Sequence, residues 1–174
     1  MKRVFAILIF TGLFFNYASV FAQNNIKLGH VDSRLVFAAM PESDTAQKTL
    51  EREREAMRKT LEELQVELNK KYEDYLKIAN DGTTSALILR TKEEEMQTMQ
   101  QRIQNFQQEA EQTLSTRSNE LFKPIQDKAI KAVNDVAAEN NFTYIFDTAG
   151  GAVVYTSPES QDILPLVKTK LGLK

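Results

Sequence analysis

The sequence predicts an α+β protein in which a long antiparallel two-helix coiled-coil arm projects from a small β-containing body. Residues rich in helix formers extend from about Glu42 to Asn140, with one clear interruption at residues 80–85. Short segments rich in β-branched and aromatic residues lie outside this stretch, at both ends of the chain. A helical stretch of this length cannot fold into a compact domain, so it must double back as a hairpin. At 1.5 Å rise per residue, the first helix from Glu42 to Asn80 would span roughly 55–60 Å. Such an arm offers surface and not a cleft, which favours a binding function.

The start of the chain, residues 1–22, has the pattern of a secretory signal peptide. Lys2-Arg3 gives a basic start, the run from Val4 to Phe15 is apolar but too short to span a bilayer, and Val20-Phe21-Ala22 ends in a small residue. We therefore expect export, cleavage after Ala22 and no stable membrane insertion of the mature chain; an uncleaved membrane anchor is the alternative. A lipid anchor at the cleavage site would need a cysteine, and the sequence contains none.

The charge balance argues against nucleic acid and membrane surfaces as partners. Removing Lys2-Arg3 from the 22 basic residues leaves 20 against 24 acidic ones, a mature net charge near −4. Such a chain has no general attraction to nucleic acid or to an anionic membrane. Opposite charges recur four residues apart, as in Glu55 with Lys59 and Glu67 with Lys71, which is typical of a solvated helix face.

The mature chain divides into a first body segment, the arm and a second body segment: residues 23–41, 42–123 and 124–174. In the first body segment, the alternation of apolar and polar residues from Ile26 to Asp32 predicts a strand. A short helix follows as far as Met40, capped by Asp32 or Ser33. Pro41 either ends this helix or begins the next one.

The apolar residues of the arm recur at alternating spacings of three and four, which predicts a heptad seam. The seam residues are Leu50, Met57, Leu61, Leu64, Leu68, Tyr75 and Ile78 on the first helix, with Arg54 and Lys71 as polar interruptions, and Leu89, Met96, Met99, Ile103, Phe106 and Ala110 on the second. Asp81-Gly82 predicts the end of the first helix, and Thr83, Thr84 or Ser85 the N-cap of the second. Two such helices joined by a short turn should pack antiparallel.

Pro124 lies inside the second helical pattern, where it removes a backbone hydrogen bond and clashes with the preceding turn. We expect a kink there, acting as a hinge where the arm enters the body. Beyond it, Phe142 to Asp147 predicts a strand, Ala149-Gly150-Gly151 a turn and Ala152 to Tyr155 a returning strand, which together would form a β-hairpin. A last helix is expected from Asp162 to Leu171.

Three short strands are a small body for so long an arm. A lone sheet of this size buries little apolar surface, and its apolar edges would promote aggregation. Pairing those edges between subunits would solve both problems. The strand pattern therefore predicts an oligomer, without fixing the number of subunits.

Candidate catalytic groups are few. His30 is the only histidine and there is no cysteine, so a metal site would have to rest on carboxylates, and no local run has the spacing of a calcium loop or a zinc site. The run from Asp147 to Gly151 loosely resembles the turn of aspartic proteases, but that chemistry needs two such turns, and a hairpin turn explains the glycines. We therefore expect no enzyme activity, no catalytic residue, no metal and no cofactor.

The segments that bear on identity are Ile26–Asp32, Met40-Pro41-Glu42, Leu121–Ile125, Phe142–Asp147, Val154-Tyr155, Asp162-Ile163 and Val167–Gly172. On these segments the mature chain resembles the Skp/OmpH family of periplasmic chaperones. The C-terminal segments are the most specific, whereas the coiled-coil stretch alone would match many proteins. The resemblance covers nearly all of Gln23 to Lys174.

The resemblance implies a jellyfish-like homotrimer, in which strands shared between subunits form the body and three helical hairpins enclose a cavity. Members of the family hold unfolded outer-membrane β-barrel proteins there after export to the periplasm, and they release them to the assembly machinery for membrane insertion. They use no ATP and bind no cofactor. Well-studied members are basic, whereas this mature chain is mildly acidic, so a lipopolysaccharide site built from arm lysines and arginines is not carried over.

Two sets of residues are candidates for that function. For client binding we expect the apolar residues near the arm's tip that lie outside the seam, Tyr72, Leu76, Leu87 and Ile88, with broader packing at the tip as the alternative. For the shared trimer core we expect Leu28, Val31, Tyr144, Phe146 and Val154. A competing function is a periplasmic tether or adaptor with one fixed partner, although the ends of this chain are short for the β domains that such adaptors carry.

Overall fold

The computed structural model describes residues 26–173, and the predicted signal peptide lies outside this range. The elements in chain order are β1 (Leu28–Val31), α1 (Ser33–Ala39), α2 (Pro41–Asn80), α3 (Ala86–Glu139), β2 (Tyr144–Asp147), β3 (Gln161–Asp162) and α4 (Leu164–Lys170). Helices α2 and α3 pack against each other along an arm, and the remaining elements form a small body with the base of the arm. The predicted α+β class with a long two-helix arm is confirmed. Within the described range, no helix combines the length and apolarity needed to cross a bilayer.

The body is a three-stranded parallel sheet with helices packed on one face. β1 is the central strand, and its register places Leu28 beside Tyr144 and His30 beside Phe146 on β2. β3 pairs with the other edge of β1. The apolar core joins β1 to residues of α1, α3 and α4, and its most completely buried members are Met40, Ile163, Val36 and Val167.

The predicted hairpin is wrong for the described chain. β2 pairs in parallel with β1, and this pairing continues beyond the strand, where the Thr148 amide donates to the Val31 carbonyl at 3.0 Å. Residues 152–155 form no strand. β1 is a closely fitting partner for β2, because a Cβ added at Gly29 would lie 2.8 Å from Cδ1 of Ile145. Pairing with a strand more than a hundred positions away thus outweighs the local turn signal.

The predicted start of the last helix is also wrong. Gln161–Asp162 is strand β3, and α4 begins only at Leu164. Oδ1 of Asp162 accepts a hydrogen bond from the Leu164 amide at 2.9 Å, while Ile163 between them is completely buried. The buried Ile163 side chain therefore anchors the turn from the sheet into α4.

The structure decides the alternatives left open at the helix starts. Asp32 caps α1, because its carboxylate accepts a hydrogen bond from the Arg34 amide at 2.9 Å. Pro41 is the first residue of α2, where its missing N–H costs no intrahelical hydrogen bond. Ser85 caps α3, its hydroxyl accepting from the Ile88 amide at 3.4 Å.

The heptad seam of the arm is confirmed. Every apolar seam residue named from the sequence is buried or partly buried between α2 and α3. The most buried are Leu64, Met99 and Ile103, with Leu61, Leu68 and Phe106 packed around them. At the tip, Gly82 has a φ of +69°, a left-handed conformation that glycine adopts without steric cost, as predicted for the helix stop.

Helix α3 belongs to both the arm and the body. It runs for 54 residues, and Pro124 lies inside it. Immediately after the proline, Ile125 is buried, and Ala129, Ala132 and Val136 continue the same face into the body core. Pro124 thus lies at the base of the arm, where it was expected, and its role as a hinge stays a prediction.

Candidate binding surfaces

The residues predicted to bind a client at the tip of the arm are all exposed. Tyr72 and Leu76 lie one turn apart on α2, so they share a face. Leu87 and Ile88 lie in the first turn of α3. The four residues are accessible, and they extend from the two helices that flank the tip turn.

A groove opens between α2 and α3 below the tip, which we call the amide groove. It has a volume of about 430 Å³ and is lined by Leu68, Asn69, Tyr72, Glu93, Met96, Gln97 and Gln100. At its upper end the Tyr75 hydroxyl donates a hydrogen bond to the Glu93 carboxylate at 2.6 Å. This hydrogen bond raises the pKa of Tyr75, so the hydroxyl stays protonated and the two helices stay joined there.

A second groove lies between the same helices nearer the body, which we call the lower groove. It has a volume of about 410 Å³ and is lined by Arg54, Met57, Arg58, Leu61, Phe106, Gln107, Ala110, Glu111 and Leu114. Both of its arginines are already paired within α2, since Arg54 contacts Glu51 at 2.7 Å and Arg58 contacts Glu55 at 2.6 Å. The lower groove therefore combines apolar residues with two arginines that already have carboxylate partners.

A third hollow, the charged hollow, lies beside the seam at the level of the amide groove. It is lined by Glu67, Lys71, Thr91, Glu94, Glu95, Thr98, Met99 and Arg102. Lys71 crosses from α2 to contact Glu95 at 3.3 Å, and Lys92 contacts the same carboxylate at 3.1 Å. Hydrogen bonds from Lys92 and Lys71 lower the pKa of Glu95, so the carboxylate stays charged. Lys71, predicted as a polar break in the seam, instead forms an ion pair across the arm.

The sheet of the body leaves one face uncovered, which we call the bare sheet face: Leu28, His30, Tyr144 and Phe146. Neighbouring strands place these residues side by side, and the rings of Tyr144 and Phe146 lie 6.3 Å apart. Tyr144 is 62% exposed and Phe146 is 45% exposed. Large aromatic side chains on an uncovered sheet face are typical of a surface that another chain covers.

Two of the residues predicted for a trimer core lie elsewhere in this chain. Val31 is 4% exposed and packs in the protomer's own core, on the side of the sheet that the helices cover. Val154 lies in the segment after β2 that forms no strand, and it is 96% exposed. The bare sheet face thus unites Leu28, Tyr144 and Phe146 of the predicted set.

Comparison with known proteins identifies the family. Residues 27–171 match a family model described as outer membrane protein (OmpH-like). The chain belongs to the OmpH-like family. It is also similar to "Chaperone protein Skp" of Yersinia enterocolitica, with 29% identity over 150 residues, which cover 82% of this chain and 86% of that protein. The matched range spans both the arm and the body, and the family predicted from the sequence is confirmed.

In this OmpH-like chain, the two groups considered for catalysis have structural partners. Oδ1 of Asp147 accepts hydrogen bonds from the Ala149 amide at 2.9 Å and the Ser33 amide at 3.1 Å, which tie the end of β2 to the start of α1. Burial alone would raise the pKa of Asp147, but these hydrogen bonds outweigh it and the pKa lies below its ordinary value. Nδ1 of His30 lies 2.9 Å from the hydroxyl of Ser160. Across residues 26–173, no cluster of His, Cys, Asp or Glu side chains is arranged to hold a metal ion.

The two flanks of the arm differ in chemistry, which the apolar seam alone did not predict. The charge pattern of the sequence predicted a single solvated face outside the seam. The carboxamides Gln97, Gln100 and Gln107 flank the seam on one side, and the charges of the charged hollow flank it on the other. Extending the heptad assignment to the positions beside the seam would have revealed this difference.

Proposed function

We propose that this OmpH-like protein is an ATP-independent periplasmic holdase. It captures unfolded outer-membrane β-barrel proteins between helical arms and delivers them for membrane insertion. The observation that carries this proposal is the family match over residues 27–171, since it includes the body as well as the less specific coiled coil. The similarity to a protein named chaperone Skp supports the same function.

The shape of the chain supports holding rather than chemistry. α2 alone has 40 residues and is therefore about 60 Å long, and all but its base lies outside the body core. Its flanks offer open grooves and exposed apolar side chains, including Tyr72 and Leu76. Methionines and aromatics in such shallow surfaces make weak, adaptable contacts, which suit clients of varied sequence and allow release without nucleotide.

The functional unit we propose is a homotrimer that assembles through the bare sheet face. Covering Leu28, Tyr144 and Phe146 would remove their apolar surface from water and place the three arms around a common space. Val31 would support this interface from the protomer core, and Val154 would join it through the exposed segment after β2. Export to the periplasm would depend on residues 1–22.

The arm is expected to open more easily than the body, which would let one cavity accept clients of different size. The interhelical layer of the arm contains few fully buried residues, and Lys71 replaces an apolar residue in its seam. Hydrogen exchange tests this expectation: amides of residues 72–89 should exchange well before those of residues 142–146. Equal protection of the two regions would mean a rigid arm and would rule out adaptable capture by opening.

Aggregation of an unfolded client is the direct test of the holdase. A urea-unfolded outer-membrane β-barrel protein is diluted into buffer without nucleotide, with or without a molar excess of the trimer, and light scattering is followed. We expect scattering to be suppressed, and an equal concentration of an unrelated soluble protein serves as control. Unchanged scattering would contradict the proposal.

Affinity capture from a periplasmic extract distinguishes the holdase from the competing tether. Capture of one stoichiometric partner would favour a tether, whereas capture of a range of outer-membrane proteins would favour a chaperone.

A further inference from the structure

The two grooves on the arm repeat with the period of the coiled coil. Of the residues that line the amide groove, all except Asn69 have a counterpart in the lower groove two heptads, or 14 positions, away. The pairs are Leu68 and Arg54, Tyr72 and Arg58, Glu93 and Gln107, Met96 and Ala110, Gln97 and Glu111, and Gln100 and Leu114. In a two-stranded coiled coil, positions two heptads apart lie on the same side. Both grooves therefore belong to one flank of the arm, with centres about 21 Å apart at 1.5 Å per residue.

The charged hollow lies on the opposite flank. Its α3 residues Glu94, Thr98 and Arg102 lie next to the amide-groove residues in sequence, yet none of them lines either groove. Leu87, seven residues before Glu94, falls on this charged flank by the same heptad rule. The two flanks therefore differ in their share of charged residues. Four of the sixteen residues that line the two grooves are charged, and the rest are mostly carboxamides, methionines and other apolar residues, whereas five of the eight residues that line the charged hollow are charged.

We infer that the flank containing the amide groove and the lower groove is the surface on which an unfolded polypeptide is held, as an extended segment lying along the arm. This inference rests on the proposed holdase function and assigns it to one side of the arm. It also divides the tip residues predicted to bind a client into two groups. Tyr72 and Leu76 lie on the flank that would hold the client, whereas Leu87 lies on the charged flank.

The chemistry of the flank matches an unfolded backbone. Such a backbone presents N–H donors and C=O acceptors with no fixed partner, and a carboxamide can satisfy both. Within residues 26–173, no side-chain hydrogen bond involves Gln97, Gln100 or Gln107, so their amides are available. Met57 and Met96 add adaptable apolar contact beside them. None of these contacts requires a particular client sequence.

The geometry also fits an extended segment. At about 3.3 Å per residue, six or seven residues of extended chain span the roughly 21 Å between the two grooves. On the charged flank the same segment would have to displace water from a larger share of charged groups, Glu94, Glu95 and Arg102 among them, without offering matching charges, which is unfavourable. On the amide side, the two arginines of the lower groove already have carboxylate partners within α2. The difference between the flanks therefore favours the amide side for an uncharged, extended chain.

Single-cysteine labelling tests this assignment, because the native chain has no cysteine. Gln97→Cys and Gln107→Cys report on the amide side; Thr91→Cys and Thr98→Cys are matched controls on the charged side, and all four positions are exposed on α3. Each protein carries a polarity-sensitive fluorophore and is mixed with a urea-unfolded outer-membrane β-barrel protein. We expect a blue shift and a loss of iodide quenching at Gln97 and Gln107, with no change at the threonine positions.

A charge test checks the same assignment without a label. The double variant Gln97→Glu with Gln107→Glu should lose suppression of client aggregation, whereas Thr91→Glu with Thr98→Glu adds the same charge to the other flank and should retain it. The inference would be overturned if the wild-type protein suppresses aggregation but the client protects the fluorophores on both flanks equally, or protects those at the threonine positions alone. The proposed holdase function would then still stand. Unsuppressed aggregation by the wild-type protein would overturn both.

Discussion

Replacing Phe146 with Ala should weaken trimer assembly while leaving the protomer folded. Phe146 is 45% exposed on the bare sheet face. With about 200 Å² for a phenylalanine side chain, an interface there would cover at most about 90 Å² per subunit, worth about 2 kcal/mol at 25 cal/mol/Å². With three copies of the substitution, the free energy of trimer assembly would weaken by about 7 kcal/mol, which raises the trimer dissociation constant by about five orders of magnitude. The concentration of half-assembly varies as the square root of this constant, so it should rise by about 300-fold.

Sedimentation equilibrium over a wide concentration range measures this shift. Val66→Ala is the matched control, because Val66 is also an exposed apolar residue but lies on the arm, at 66% exposure. Circular dichroism should show that both variants keep the helical content of the wild-type protein. Phe146→Asp should abolish assembly entirely, since it would bury a carboxylate without a partner. A Phe146→Ala protein that assembles at the wild-type concentration, or a wild-type protein that is monomeric at micromolar concentration, would refute this account of the bare sheet face.

Three further changes test the body, the cross-arm ion pair and the base of the arm. Gly29→Ala should lower the free energy of unfolding by about 1–3 kcal/mol in urea titrations, because its Cβ would lie 2.8 Å from Ile145, whereas Gly150→Ala, with nothing within 4 Å, should not. The pKa of Glu95 lies below its ordinary value of 4.5, so its contribution to arm stability is present above that pH and is lost as the pH falls through the lowered value. The melting temperature of the Glu95→Gln variant should therefore fall less than that of the wild-type protein as the pH is lowered. Pro124→Ala should slow hydrogen exchange at the base of the arm and narrow the range of clients held, without changing trimerisation; unchanged exchange would exclude a hinge there.

The arm was predictable because its determinants are local. The spacing of Leu61, Leu64 and Leu68 specifies which side of α2 packs against α3. The single turn at Gly82 then brings the apolar side of α3 against it. Caps and prolines act over a few residues, so Ser85 could be named among three candidates for the N-cap.

The sheet was only partly predictable because its pairings are not local. The segment from Ala152 to Tyr155 has the β-branched composition of a strand, yet its neighbour in the chain, β2, pairs with β1. Composition indicates that a segment favours extended structure but does not specify its partner. The candidate binding surfaces are limited in the same way. Tyr72 and Phe146 could be expected to lie at surfaces that bind other chains. Which side of β1 the helices cover, however, depends on how α3 and α4 pack, and they cover the side of Val31.

The arm and the body have separate apolar clusters, and the body meets the arm at one end only. The length of the helical hairpin can therefore change without changing the contacts of the body. Inserting one heptad at matched positions of α2 and α3 would extend each helix by about 10 Å and restore every seam contact in register. An insertion in one helix alone would shift its seam against the other along the whole outer part of the arm. Paired insertions or deletions in the two helices would thus change the reach of the molecule with no change to the sequence of the body.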